Sequence, residues 1–131
     1  MALNSDGTVL YSFGRADYGS LGIDTRKPGE QSMPKGSSIL IPTPVKFPGT
    51  ERVILSDIQC GDRHSLALTT ENEVYTWGFG TTGPTGHKTV GDEDIFVPTK
   101  LDLKKHLGHK TLGFQISGGG QHTLVVTKRY K

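Results

Sequence analysis

A chain of 131 residues is long enough for one ordinary domain, and 18 glycines and 7 prolines against a 33% hydrophobic share point to many turns between short elements. A net charge of +2 is far from the basic balance that alone announces a nucleic-acid binder, so any such role must rest on local charge. The single cysteine, Cys60, excludes an internal disulfide and suits a reducing compartment better than a disulfide-stapled secreted scaffold.

The start, Met1 to Gly7, has neither the basic leader nor the apolar stretch of a signal peptide, and no apolar run nears the roughly 20 residues that span a bilayer. A soluble, intracellular protein is expected. The first predicted strand covers residues 8–13 and ends on Phe13-Gly14. Ile41-Pro-Thr-Pro-Val45 then marks a boundary, followed by strands at 53–59, 65–70 and 73–77, the last two joined by a hairpin turn at Thr69–Glu73. Val97-Pro-Thr-Lys-Leu101 marks a second boundary, and strands at 112–116 and 123–127 close the chain. An all-β fold with almost no helix is expected.

The elements repeat. Leu10-Tyr-Ser-Phe-Gly14 matches Val74-Tyr-Thr-Trp-Gly78, and Gly19 and Gly22 fall opposite Gly83 and Gly86 at the same offset. Cys60-Gly-Asp-Arg-His-Ser-Leu-Ala-Leu68 matches Gly118-Gly-Gly-Gln-His-Thr-Leu-Val-Val126. A period of about 60 residues holding several short strands is what one propeller blade looks like in sequence. With two copies of each motif the chain holds about two blades, whereas closed propellers need about four to eight. It therefore reads as a fragment of a larger propeller or one protomer of a ring, with repeat units roughly 1–60 and 61–131. Open strand edges should make the isolated chain self-associate.

Ser12-Phe-Gly-Arg-Ala-Asp-Tyr-Gly-Ser-Leu-Gly22 and Ser117-Gly-Gly-Gly-Gln-His-Thr123 resemble the repeats of the regulator-of-chromosome-condensation family, and the order of motifs is similar to that family's last two blades. The resemblance implies two blades of a seven-bladed propeller. It also implies part of a chromatin-associated, nuclear exchange factor that promotes GDP/GTP exchange on the small GTPase Ran by binding, without covalent chemistry. The alternative it leaves is a scaffold or recognition propeller of a larger protein such as a ubiquitin ligase, found in the cytoplasm if not in the nucleus. One departure stands out: Thr82-Gly-Pro-Thr-Gly86 lacks the apolar residue that the family's turn carries.

The resemblance places His122 on the Ran-facing surface, with Gln121, Asp62 and His64 as companions, although His64 and His122 can equally tie neighbouring blades. Phe13 and Trp77, at one repeat position, are expected to pack between blades. Lys104, Lys105 and Lys110 form a local basic stretch suited to nucleosomes or DNA in a longer protein. Gly78-Phe-Gly-Thr-Thr-Gly83 fits a dinucleotide pattern, but Pro84 and Gly86 forbid the helix such a site needs, so no cofactor is expected. Cys60 with His64, His106 and His109 has no common zinc spacing, so no metal is expected either.

Overall fold

The computed structural model describes residues 1–26, 34, 36–49, 51–87, 93–107 and 111–129. Three antiparallel sheets follow one another along the chain. The first joins β1 (Ala2–Leu3), β2 (Leu10–Arg15) and β3 (Ser38–Pro44); the second joins β4 (Leu55–Cys60), β5 (His64–Thr69), β6 (Val74–Gly78) and β7 (Ile95–Lys100) in sequence order. The third is a pair, β8 (Thr111–Gly118) and β9 (Thr123–Arg129). The structure is all-β, and its sheets are blades of a partial propeller.

Three strands differ from expectation: β1 precedes the first strand expected, and β3 and β7 form where boundaries were read. The proline segments read as boundaries lie inside β3 and β7, each the outermost strand of its sheet. Proline cannot donate to a ladder but is accommodated on an edge whose outer N–H groups face away from any strand, which is why Pro42, Pro44 and Pro98 can belong to strands. A short helix, α1 (Leu103–Leu107), also forms where none was expected; Asp102 Oδ1 accepts the Lys105 N–H at 3.0 Å and caps its first turn.

The hairpin between β5 and β6 turns as expected. Thr69 Oγ1 accepts the Glu73 N–H at 3.0 Å, and Asn72, with φ of 63°, takes the left-handed position that asparagine tolerates.

The repeated motifs make the same bonds twice. Ser12 Oγ donates to the Leu21 carbonyl at 2.6 Å, and Thr76 Oγ1, at the matching position, donates to the Thr85 carbonyl at 2.5 Å. Thr85 is buried in the place of Leu21, so the turn that departs from the family pattern is packed with a threonine. Having given its proton to Thr85, the Thr76 hydroxyl accepts from His87 Nε2, 2.8 Å away.

Between sheets the ties repeat as well. Ser65 Oγ donates to the Ser20 carbonyl at 2.8 Å, and its counterpart Thr123 Oγ1 donates to the Pro84 carbonyl at 2.6 Å. The two faces of β5 are divided by its pleat. Ala67 faces back toward Leu10, Ile23 and Val45 of the first sheet, while Leu66 and Leu68 face forward onto Ile116 of the third. This explains why all six residues of β5 are buried, and why its sequence runs apolar without alternation.

Trp77 closes the first interface. It is fully buried and packs at 6.1 Å, edge-on, against Phe47, and its Nε1 donates to the Ser20 carbonyl at 3.1 Å. Gly22 makes room for the indole, since a Cβ there would stand 2.8 Å from Nε1. Its repeat partner Phe13 is 43% exposed, because among the described residues no further sheet covers the outer face of the first. We expect Trp77→Phe to lower stability by about 1–3 kcal/mol, through a lost hydrogen bond and reduced packing, and Phe13→Leu to change it by less than about 0.5 kcal/mol. Equal losses in urea unfolding would show that the two positions are not distinguished by burial.

Candidate functional site

The glycine loops and the histidine turns lie at one end of the sheets, and Asp62, Gln121 and His122 all stand exposed there. The turn at residues 61–63 lies beside the turn at 119–121: a Cβ at Gly61 would come within 2.4 Å of the Gly119 carbonyl, and one at Gly120 within 3.5 Å of Asp62 Oδ2. The structure thus brings Asp62 next to the loop that carries Gln121.

His64 lies behind that surface. It is 1% exposed, and Nε2 sits 2.9 Å from Thr123 Oγ1. Because the Thr123 hydroxyl donates its proton to the Pro84 carbonyl, it must accept from Nε2–H, which fixes the tautomer and leaves Nδ1 as a buried acceptor without a hydrogen-bond partner among the described residues. His64 is a strut between sheets and presents no ring edge to a partner. His122 repeats the posture without the cover: its ring folds over Gly119 as the His64 ring folds over Gly61, and either glycine's Cβ would clash with the imidazole at 2.1 Å.

Residues that sequence reasoning left aside complete the surface. Arg63 holds its guanidinium 5.0 Å from the Tyr18 ring and 5.7 Å from the Phe79 ring, which meet each other edge-on at 5.3 Å. Tyr18 reaches this position from a left-handed backbone, φ 59°, inside the short 3-10 turn Asp17–Gly19. Asp17 Oδ1 accepts the Gly36 N–H at 3.0 Å, and its Oδ2 pairs with Arg15. Nearby, Arg26 lies 3.7 Å over the Phe96 ring and bonds Asp24, whose carboxylate raises the Arg26 pKa. A signal was present in the sequence, since Tyr18 and Phe79 each lie in a glycine loop, but only the fold shows that one arginine joins them.

Arg15, Asp17, Asp62 and Arg63 line a shallow depression of about 400 Å³ with Tyr18 and Phe13. Its charges are mixed and Tyr18 is held by cation-π contact with Arg63, which suits protein recognition. No group of three potential metal-binding side chains occurs among the described residues. Lys104 and Lys105 are exposed on α1, Lys110 lies outside the described residues, and Lys100 is engaged by Glu73, which raises its pKa.

Burial lowers the His64 pKa, with the His122 backbone opposing that shift, and burial lowers that of His87 too. Both therefore favour the neutral state in the fold, and their contribution is complete above the ordinary imidazole value of about 6.5 and declines as pH falls below it. We expect the melting temperature to drop between pH 7 and pH 5.5. His64→Gln should flatten that drop while costing about 1–3 kcal/mol at pH 7. An unchanged pH profile in His64→Gln would remove His64 from the strut role.

Comparison with known proteins agrees with this architecture. The family description "Regulator of chromosome condensation (RCC1) repeat" matches residues 6–68 and 71–126. The chain is 33% identical over 128 residues to the human regulator of chromosome condensation, covering 98% of this chain and 26% of that protein. It is 32% identical to the ultraviolet-B receptor UVR8 of Arabidopsis thaliana over 129 residues, 98% of this chain and 25% of that one. Among solved structures it superposes on Prp20p of Saccharomyces cerevisiae, a protein described with its binding properties to Gsp1p and histones, with a TM-score of 0.77 and 26% identity over 98% of this chain and 28% of that one. The chain thus spans about a quarter of the length of these relatives. The two matched segments, the doubled motifs and the repeated hydrogen bonds together show that the chain belongs to the family of regulator of chromosome condensation (RCC1) repeat proteins.

Proposed function

We propose that the loop end of these repeats is a protein-recognition surface for a Ran-type small GTPase, acting within a propeller that promotes nucleotide exchange. The observation that carries this reading is the shared surface of Asp62, Gln121 and His122 on adjacent turns, in a chain whose structural neighbour Prp20p is described with its binding to Gsp1p. Asp62 offers a carboxylate, Gln121 an amide and His122 an imidazole to a partner backbone that the neighbouring glycines let approach closely. His64 contributes from beneath by holding the two turns together. Exchange needs no covalent step: a surface that binds the nucleotide-free GTPase more tightly than the loaded one accelerates release by differential affinity.

A second reading, recognition without exchange, is favoured by the similarity to UVR8, named as a light receptor. The two separate on one measurement. Titration calorimetry of the chain against a Ran-type GTPase, nucleotide-free and GDP-bound, should show tighter binding of the nucleotide-free form. Asp62→Ala with Gln121→Ala should weaken that binding roughly five- to hundredfold with an unchanged melting temperature. Equal affinity for the two nucleotide states would leave only the recognition reading.

Lys104, Lys105 and Lys110 are proposed to add a weak, salt-sensitive contact to nucleosomes, as the description of Prp20p with histones suggests. Replacing them with glutamine should lower the slope of log affinity against log salt by about 2 or more. An unchanged slope would return these lysines to solvent.

A further inference from the structure

The end of the sheets opposite the glycine loops carries a second depression, of about 380 Å³. Both of its walls come from inside the chain. One is the segment joining β3 to β4, with Pro48, Glu51 and Ile54; the other is the hairpin joining β5 to β6, with Glu71 and Glu73, and Lys100 at the end of β7 lies beside it. Tyr75 lines it from the core side, where its ring meets Phe47 edge-on with centroids 5.1 Å apart.

Tyr75 is 6% exposed, yet its hydroxyl has no hydrogen-bond partner among the described residues. Buried tyrosines ordinarily place that group on a partner. The oxygen is not closed off from solvent, so it opens into the depression that its side chain lines. Burial, and after it the Glu73 carboxylate, raise the pKa of this hydroxyl against the opposing pull of Lys100, so it remains a neutral phenol with lone pairs to offer. The carboxylates around it are in surplus. Glu73 engages Lys100, but Glu51 and Glu71 are exposed and neither hydrogen-bonded nor ion-paired among the described residues. Glu51 is close enough to raise the pKa of both Tyr75 and Lys100. The charge of Arg52, the other cation of the lining, is answered in part by Asp6 of the first sheet's hairpin, whose pKa it lowers.

We propose that this depression receives a lysine side chain from a basic segment of a partner protein. The unpaired carboxylates and the unbonded phenol oxygen are all acceptors, and together they call for a cation with several donors. They sit on different walls, Glu51 on the connecting segment, Glu71 on the hairpin and Tyr75 on the core side. A compact ammonium with three rotatable donors meets that arrangement better than the planar fork of a guanidinium. The carboxylates form no metal-binding group among the described residues, which leaves an organic cation as the occupant. Pro48 and Ile54 give the lysine stem an apolar wall to lie along while its head reaches the polar groups. The depression is open at the surface, so it covers one side chain of an extended segment, whereas a small-molecule site encloses most of its ligand. Because the chain as a whole carries a net charge of +2, the attraction is local and sensitive to salt.

The test is fluorescence anisotropy of a dye-labelled oligolysine peptide titrated with the whole chain at low salt, beside the same peptide with its lysines acetylated. The unmodified peptide should bind at chain concentrations below about 1 mM and the acetylated one should not. Glu51→Gln with Glu71→Gln alters two exposed side chains and should weaken binding roughly tenfold or more. Tyr75→Phe keeps the ring against Phe47 and removes only the hydroxyl; it should weaken binding by roughly three- to tenfold with an unchanged circular dichroism spectrum. Since Tyr75→Phe alters no formal charge, a general attraction of basic peptides to an acidic surface would not register it. No binding by the wild-type chain, equal binding of the acetylated peptide, or wild-type affinity in either variant would each overturn the proposal.

Discussion

The Ser20 carbonyl is the point on which the first two sheets depend. It receives both the Ser65 hydroxyl and the Trp77 indole N–H, so two donors from different strands converge on one acceptor at the tip of a glycine loop. A carbonyl oxygen has two lone pairs, and at the half-buried Ser20 the following sheet supplies a donor to each. The loop cannot shift without leaving them unpaired, and the apolar cluster of Leu10, Ile23, Val45, Leu55, Ala67, Tyr75 and Trp77 is consequently packed in one arrangement. At the second interface Pro84 takes the same place but, among the described residues, receives only the hydroxyl of Thr123. That hydroxyl in turn is fixed by His64, so the histidine does for the second interface part of what the indole does for the first.

The surface at the loop end inherits its order from these ties. Arg63 emerges from the turn that His64 anchors, and its two aromatic partners come from the glycine loops of successive repeats. Preorganisation of this kind matters for a binding surface, because side chains that are already held lose less freedom when a partner arrives. The mixed charges of Arg15, Asp17, Asp62 and Arg63 give such a surface direction and specificity more than raw affinity.

Much of this was legible in the sequence. The tyrosine, hydroxyl, aromatic, glycine succession at residues 11–14 and 75–78 marks β2 and β6, because each residue type has a fixed duty there: the hydroxyl bonds a loop carbonyl and the aromatic fills the neighbouring interface. What the sequence concealed has two physical causes. Proline carries a strong prior against strand that an edge position cancels, so β3 and β7 were hidden within Ile41-Pro-Thr-Pro-Val45 and Val97-Pro-Thr-Lys-Leu101. Identical motifs, moreover, do not imply identical surroundings. His64 and His122 share a posture, yet one is buried by the following sheet and the other stands in the open. The grouping of Arg63 with Tyr18 and Phe79 is likewise a product of three-dimensional arrangement, for these residues lie some 45 and 16 positions apart.

The prolines of the outermost strands have a consequence for how the molecule behaves in a crowded solution. A rim of bare β-edges is the usual seed of fibrillar growth, in which any chain with an exposed ladder can template the next. Pro42 and Pro44 on β3 and Pro98 on β7 interrupt that ladder where it faces outward. The outer edges of β3 and β7 are thus made poor templates for a foreign strand, and the molecule can carry two exposed ladders without inviting growth along either.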